Sequence, residues 1–495
     1  MHRFWEIPEL SAHVLEYLTE ADWRAMVQVC QALWAPAVRL IWEALPRLSI
    51  LLRLFPEEHQ ILYRSPEWGY EEFVALNGCL WDAEWQRFQL YSPFVKMLPV
   101  KVDDQTCKTL RRLHAYSKGR LLFPNLRATD MRIELSRWCT PLSEAEWAQI
   151  CELMLSPNLE SIECCHPGWP RDAADGMVIP FFNHLQGIAN LGKLSWSGGR
   201  ISEAAEISLS LFLSSNSSLH SVHLDVHNMP HTALLSASHI PTLATVSFSK
   251  FQDTEYVTSS PALFASLTDL RCGGTAAGLE TAIRIVKAPK LARLCISMSD
   301  QERQGPNPFD ILKDSERFPA LTDLRLKDLQ PSWAHLQAIS SLKALRTLHI
   351  EPAVRRLNWD PPYWPVKIIR LLATSFPQLE MLVLGRGHYP TDNTTVSLPD
   401  LECFAQFCPN LRHLEVSVDA TGMERLSRSL VPHPSLEVVN LGDSEADSYE
   451  IEIASIIFRL WPCLRRGCTS SEDMGGWSAY RWEKIWEHVA RLQNV

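Results

Sequence analysis

The sequence predicts an α/β solenoid, with short parallel strands inside, helices outside, a three-helix module in front and a helical cap behind. Three observations predict it. An apolar six-residue pattern recurs along most of the chain. The segments between its copies carry apolar residues at helical spacing. Residues 7–45 follow another pattern, that of three short amphipathic helices.

The recurring pattern is L-x-x-(L/I/V)-x-apolar. It runs through Leu159-Ile162-Cys164, Leu191-Leu194-Trp196, Leu219-Val222-Leu224, Leu243-Val246-Phe248, Leu267-Leu270-Cys272 and Leu291-Leu294-Ile296. It continues as Leu321-Leu324-Leu326, Leu345-Leu348-Ile350, Leu379-Leu382-Leu384, Leu411-Leu414-Val416 and Leu436-Val439-Leu441. Leu126 and Leu464 head weaker copies. From Leu219 to Leu291 the step is 24 residues three times running, and elsewhere it ranges from 24 to 34. This resembles the leucine-rich repeat, whose period is about 20–29 residues. The last two apolar residues of each copy lie two apart, so they share one face of a strand. One strand cannot bury that face alone, whereas stacked parallel copies bury a continuous core with helices covering the outside.

The intervening helices follow in order. Ser143-Glu-Ala-Glu146 is a capping box, with Trp147, Ile150, Leu153 and Met154 behind it at helical spacing. Thr421-Gly-Met-Glu424 repeats the device before Leu426 and Leu430, and residues 367–375 and 449–460 fit helices as well. FPAL, FPQL, CPNL and HPSL mark the returns, where Pro ends the helix and Leu opens the next strand. Trp482, Ile485, Trp486 and Val489 form one stripe near the C-terminus, which makes residues 476–495 a capping helix and 119–475 the solenoid. Residues 46–118 hold Phe55, Trp68, Phe73, Trp81, Trp85, Phe88 and Tyr91. Their aromatics read as buried in a helical connector that fixes the front module against the first turn.

In the front module, residues 1–45, Leu10, Val14, Leu15 and Leu18 form the stripe of a first helix. Thr19-Glu-Ala-Asp22 caps a second, with Trp23, Met26, Val27 and Cys30 on its apolar face. Pro36 suits the opening of a third, which carries Ala37, Leu40, Ile41 and Leu45. About 40 residues bury too little surface to stand alone, so the module leans on a partner or on its neighbour.

Ile7-Pro8-Glu9-Leu10, Val14-Leu15-Glu16-Tyr17-Leu18, Asp22-Trp23, Val29-Cys30 and Trp42 together resemble the F-box. Ile7 and Trp23 stand where its consensus has Leu, Gln31 replaces the basic residue after the Cys, and Trp34 is one position late. An F-box followed by leucine-rich repeats is a recurrent family architecture, and the segments 85–95 and 123–126 are similar to fungal F-box proteins. The resemblance implies a substrate receptor that is not itself an enzyme. Its F-box binds a Skp-type adaptor, and through it a cullin–RING ubiquitin ligase. The residues carried over for adaptor binding are Ile7, Pro8, Leu10, Val14, Leu15, Leu18, Trp23 and Val29. Val29 and Cys30 fit the module's own core equally well. The other reading of the whole chain is a repeat scaffold that works without a ligase.

The formal net charge is −10 with no long basic run, so nucleic acid and an acidic membrane surface are not expected partners. No apolar run is long enough for a membrane span. The start of the chain lacks the pattern of a signal peptide. The 13 cysteines are scattered without CxxC pairing, as small hydrophobes in a reducing compartment, so a cytoplasmic or nuclear location is expected.

No P-loop, G-x-S-x-G elbow, HExxH or dinucleotide fingerprint occurs, and no cofactor is expected. Cys403/Cys408 and Cys463/Cys468 occupy apolar repeat positions and read as structural rather than zinc-binding. His220, His223, His227 and His231 spread along an edge and read as surface residues rather than a metal site. A protein partner, whose identity the sequence does not give, is expected on the inner strand face. There the positions flanking the buried pair are His223, Asp225, Arg271, Arg325, Lys327, His349, Glu351, His413, Glu415 and Asn440.

Overall fold

Within each unit, successive turns of the chain meet through one hydrogen-bond device. The carbonyl just before a strand accepts two consecutive N–H groups from the start of the following strand. Thr268 O takes the N–H of Ala292 and of Arg293, Ala292 O takes Thr322 and Asp323, and Thr322 O takes Arg346 and Thr347. This fixes the register, and a leucine at a constant distance then falls on a leucine. The computed structural model describes residues 8–29, 31–64, 72–77, 82–133, 143–165, 175–198, 201–251, 262–298, 309–314, 316–328, 333–351, 364–385, 396–421, 430–441, 444–446, 449–468 and 477–493. They divide into two units, residues 1–243 and 244–495.

The first unit opens with helices Pro8–Glu16, Glu20–Met26 and Gln31–Glu43. The capping box at Thr19 and Asp22 is present, and the Trp23 indole donates to Leu15 O at 2.5 Å. Pro36 lies inside the third helix rather than opening it, because the helix begins five residues earlier and buries Leu33, Ala37 and Val38. Leu40 and Ile41 are only half-buried. The helix runs straight into the sheet. Lys96 N–H donates to Glu43 O at 2.8 Å, Leu45 N–H donates to Met97 O at 3.0 Å, and the Lys96 ammonium pairs with the Glu43 carboxylate at 2.8 Å. Trp42 lies 4.8 Å from the Tyr91 ring, and Phe55 stacks on Phe88 at 5.9 Å.

Residues 46–118 are not wholly helical. Beside helices Asp82–Tyr91 and Asp104–Ser117 they hold an antiparallel hairpin, Gln60–Arg64 with Glu72–Leu76, and the strand Met97–Val102. That strand is a repeat copy in its own right. Val95, Leu98 and Val100 stand in the three apolar places and are buried. The strand pairs in parallel with Ala128–Ile133, followed in order by Ser161–Cys165, Lys193–Ser197 and Ser221–Met229. Thr129 occupies an inward place, and its hydroxyl donates to Leu98 O at 2.8 Å. The capped helix at Ser143 is present as Glu144–Met154 and buries Trp147, Ile150, Leu153 and Met154.

In the second unit nine parallel strands follow one another: Thr245–Phe251, Asp269–Gly274, Arg293–Met298, Asp323–Lys327, Thr347–Glu351, Met381–Leu384, His413–Val416, Val438–Asn440 and Arg466–Cys468. One inward row reads Val246, Leu270, Leu294, Leu324, Leu348, Leu382, Leu414 and Val439, each fully buried, and ends on Gly467. Helices Val366–Ser375 and Glu450–Leu460 match the expected spans. The helix expected after Thr421 falls outside the described residues, as do Ile7, Cys30, Trp68 and Trp81. Helix Trp477–Gln493 caps this unit, with Trp482, Ile485 and Val489 buried.

Two cysteine and histidine readings need correction. Cys403 and Cys408 are buried as expected, but Cys463 is exposed, because it lies at the tip of the turn closed by the Leu464 N–H on Trp461 O. His231 is buried at the start of helix His231–Ser238, whereas His220 and His223 are exposed.

His433 is wholly buried. One ring nitrogen lies 3.0 Å from Cys408 O, to which it donates, and the other accepts the Ser435 N–H at 3.3 Å. Burial, countered by the bond to Cys408 O, holds its pKa below the ordinary histidine value. His335 and His349 are lowered too, also chiefly by burial. A lowered folded pKa leaves stability intact above the unfolded value of about 6.5, and stability is lost as pH falls through the folded one. Thermal midpoints should therefore drop between pH 7 and pH 5. His433→Gln, which keeps a donor and an acceptor, should flatten that drop, and an unchanged slope would refute the assignment.

Candidate functional site

The outward positions of the second unit form registered rows. Arg271, Arg325, His349, Glu415 and Asn440 share one row, in which Arg271 and Arg325 flank Cys295. Lys327 and Glu351 sit side by side in the next row towards the strand ends, paired at 3.3 Å. His413 belongs to a different row, on the other side, between Met381 and Val438. In the first unit His223 pairs in register with Ser195 and Asp225 with Ser197. His223 is exposed and Asp225 half-buried, while the His227 side chain lies outside the described residues.

Apart from His413, this row was not among the expected contact positions, and it contains a ladder of paired charges. Arg293 bridges two neighbours, reaching Asp269 at 2.9 Å and Asp323 at 3.1 Å. Those aspartates also hold the arginines two residues on. Arg271 lies 3.4 Å from Asp269, and Arg325 lies 3.2 Å from Asp323. The bonds to Asp269 and then to Asp323 hold the Arg293 guanidinium above its ordinary pKa. The sequence signal is the repeated Leu-Thr-Asp-Leu-Arg at 267–271 and 321–325, with Arg293 at the aspartate place of the intervening copy. The guanidinium groups stay about half-exposed while the Asp269 and Asp323 carboxylates are largely buried, so the pairing satisfies those carboxylates and holds the guanidinium groups in place.

A cavity of about 410 Å³ opens beside this ladder, lined by Lys250, Arg271, Gly273, Cys295, Ser297 and Asp328 among others. Ser297 donates to Asp328 at 2.8 Å. Gly274 has φ +155°, and a Cβ there would overlap Phe251, so the turn over the cavity needs glycine. Burial pushes the Cys295 thiol pKa up, although Lys327, Arg271 and Arg325 pull it down. A second cavity of about 490 Å³, at the strand starts of the first unit, lies among structural bonds: Asn125 donates to Pro93 O at 2.8 Å, and Asn158 to Pro124 O at 3.0 Å.

The parallel register, the inward leucine rows and the outer helices make this leucine-rich-repeat architecture. No family model matches the chain, and no curated protein matches it. Among solved structures it is similar to an internalin from Listeria monocytogenes, at 12% identity over 88% of this chain and 96% of that one, with a TM-score of 0.37. It is similar to the leucine-rich repeat-containing protein LegL7 from Legionella pneumophila, at 12% identity over 73% of this chain and 97% of that one, with a TM-score of 0.36. TLR13, solved in complex with ssRNA13, shares 14% identity over 80% of this chain, with a TM-score of 0.39. The chain spans 54% of TLR13 and 59% of a Bacteroides fragilis protein that also matches.

Of the residues carried over for adaptor binding, the structure exposes Leu10 at 40% and Val29 at 65%, and leaves Val14, Leu18 and Trp23 half-buried. Leu15 is wholly buried, so it fills the module's own core rather than a partner's pocket. Tyr17, which was not carried over, is 78% exposed. Pro8 begins the first helix. Among the described residues no cluster of His, Cys, Asp and Glu is arranged to hold a metal ion, and no helix is long and apolar enough to cross a membrane.

Proposed function

We propose that the chain is the substrate receptor of a cullin–RING ubiquitin ligase, itself without enzymatic activity and acting in the cytoplasm or nucleus. In this reading the front module docks a Skp-type adaptor, and the outward strand face holds the protein to be modified. The observation that carries the reading is the joining of F-box-like helices, with Leu10, Tyr17 and Val29 exposed, to leucine-rich-repeat strands. Exposed apolar side chains are natural anchors, since fully burying each is worth about 1.5–3 kcal/mol.

Leu10→Ala/Val29→Ala removes two anchors without touching the core. Co-expressed with a Skp-type adaptor, the wild-type chain should retain it on purification and the double variant should lose most of it. Equal retention would refute docking through the F-box-like anchors. A second reading, a repeat scaffold that works without a ligase, is favoured by the burial of Leu15 and the bond from Trp23 to its carbonyl, which spend part of the motif on internal contacts. Absence of adaptor from both preparations would support it.

A further inference from the structure

We propose that the outward surface from strand Thr245–Phe251 to strand Thr347–Glu351 receives an extended acidic segment of a protein partner, its carboxylates meeting Arg271 and Arg325 on either side of Cys295. The inference rests on the reading that the strand face holds a partner, and adds what chemistry that partner presents.

Charge is the first argument. These five strands carry Lys250, Arg271, Arg293, Arg325 and Lys327 against Asp269, Asp323, Glu351 and the adjoining Asp328 of the cavity wall, which leaves one positive charge in excess in a chain of net charge −10. At physiological ionic strength charges are screened beyond about 8 Å, so the patch and not the whole chain sets the sign that a docked segment meets.

Order is the second. Asp269 and Asp323 hold Arg271 and Arg325 through Nε and Nη2, which engages two of the three guanidinium nitrogens on each. The two side chains remain 55% and 41% exposed. A guanidinium fixed in this way loses little freedom when it meets a carboxylate.

Room is the third. Gly273, Ser247 and Ser297 keep the floor low beside Cys295, and the cavity of about 410 Å³ lies there. Five strands about 4.8 Å apart span roughly 19 Å, which is about six residues of extended chain. In an extended peptide alternate side chains face the strands, so the inward carboxylates stand two residues apart and pass between the aspartates, whereas a polyphosphate carries charge at every unit and would meet Asp269, Asp323 and Glu351 as well.

The test uses the full chain and fluorescein-labelled hexaglutamate, read by polarisation at physiological ionic strength. Wild type should bind, and Arg271→Gln/Arg325→Gln should weaken binding by roughly tenfold or more, as loss of charge-assisted bonds predicts. Arg370→Gln, on the outer helix Val366–Ser375, should bind as wild type does. Circular dichroism verifies that the variants are folded. No binding by wild type, equal binding by the double variant, or tighter binding of hexauridylate RNA or of a phosphoserine hexapeptide would overturn the proposal. Adaptor co-purification separates this from the ligase reading. Adaptor retained with no hexaglutamate bound refutes the acidic segment alone, whereas adaptor lost with hexaglutamate bound refutes the ligase alone.

Discussion

Gly467→Leu will destabilise the C-terminal unit, although it restores the apolar side chain that the neighbouring turns carry at this place. In the row Leu382, Leu414, Val439 the next position is Gly467, and a Cβ built there would overlap the Trp486 ring. The indole of the capping helix fills the volume that a leucine fills elsewhere. Its Nε1 is buried and has no hydrogen-bond partner among the described residues. The helix is otherwise tied by Trp482 Nε1 to Ser444 O at 2.7 Å, Arg481 to Ala446 O at 2.7 Å and Gln493 to Leu464 O at 2.6 Å. Overfilling a packed site costs about 1–3 kcal/mol. If the helix leaves, the burial of Trp482, Ile485 and Val489 is lost as well, at about 1.5–3 kcal/mol each. Urea unfolding should show the loss, and limited proteolysis should release a C-terminal fragment. Adding Trp486→Gly to Gly467→Leu should recover part of the stability, because the new leucine then has space. Strict additivity of the two changes would refute the plug.

Leu324→Ala should cost about 2–5 kcal/mol, the range for deleting a fully buried leucine and leaving a cavity. Leu324 is fully buried, and its register partners Leu294 and Leu348 are too. Their strands are held by the doubly accepting carbonyls and cannot slide to close the gap. Leu10→Ala, at an exposed site of the front module, should cost about 0.5 kcal/mol or less. Equilibrium unfolding of both variants checks the contrast. A loss under about 1 kcal/mol at Leu324 would mean that the row does not carry the core.

The leucine rows were legible in the sequence because burial alternates with a period of two, and the chain keeps to it at almost every turn. The first turn was not, because Val95 stands in the leading place and Pro99 sits inside the strand. Proline is tolerated there because Met97–Val102 is the outermost strand of its run, where a missing N–H costs little. The outward face was legible only in part. Residues flanking the second apolar position on either side face the same way, since they too lie two apart, and the expectation took mainly the later one. Arg271 and Arg325 were therefore found, while Asp269, Arg293 and Asp323, which hold them, were not. In the front module the helical stripes were readable, but which members turn outward depends on the third helix. That helix buries Val38, which no stripe marked, while Leu10 and Val29 stay outside.

The paired acceptors ahead of each strand bear on how such a chain changes length over generations. Ala244 and Thr268 stand one turn apart and play the same part, each accepting the first two N–H groups of the next strand. Excising or duplicating that stretch would bring one acceptor into the place of the other and leave every other turn's bonds as they were. Gain and loss in whole coils is then the edit least resisted by the backbone. What such an edit disturbs is the sequence of charges borne on the strands, so lineages could drift in length while selection acts on the order of a few aspartates and arginines.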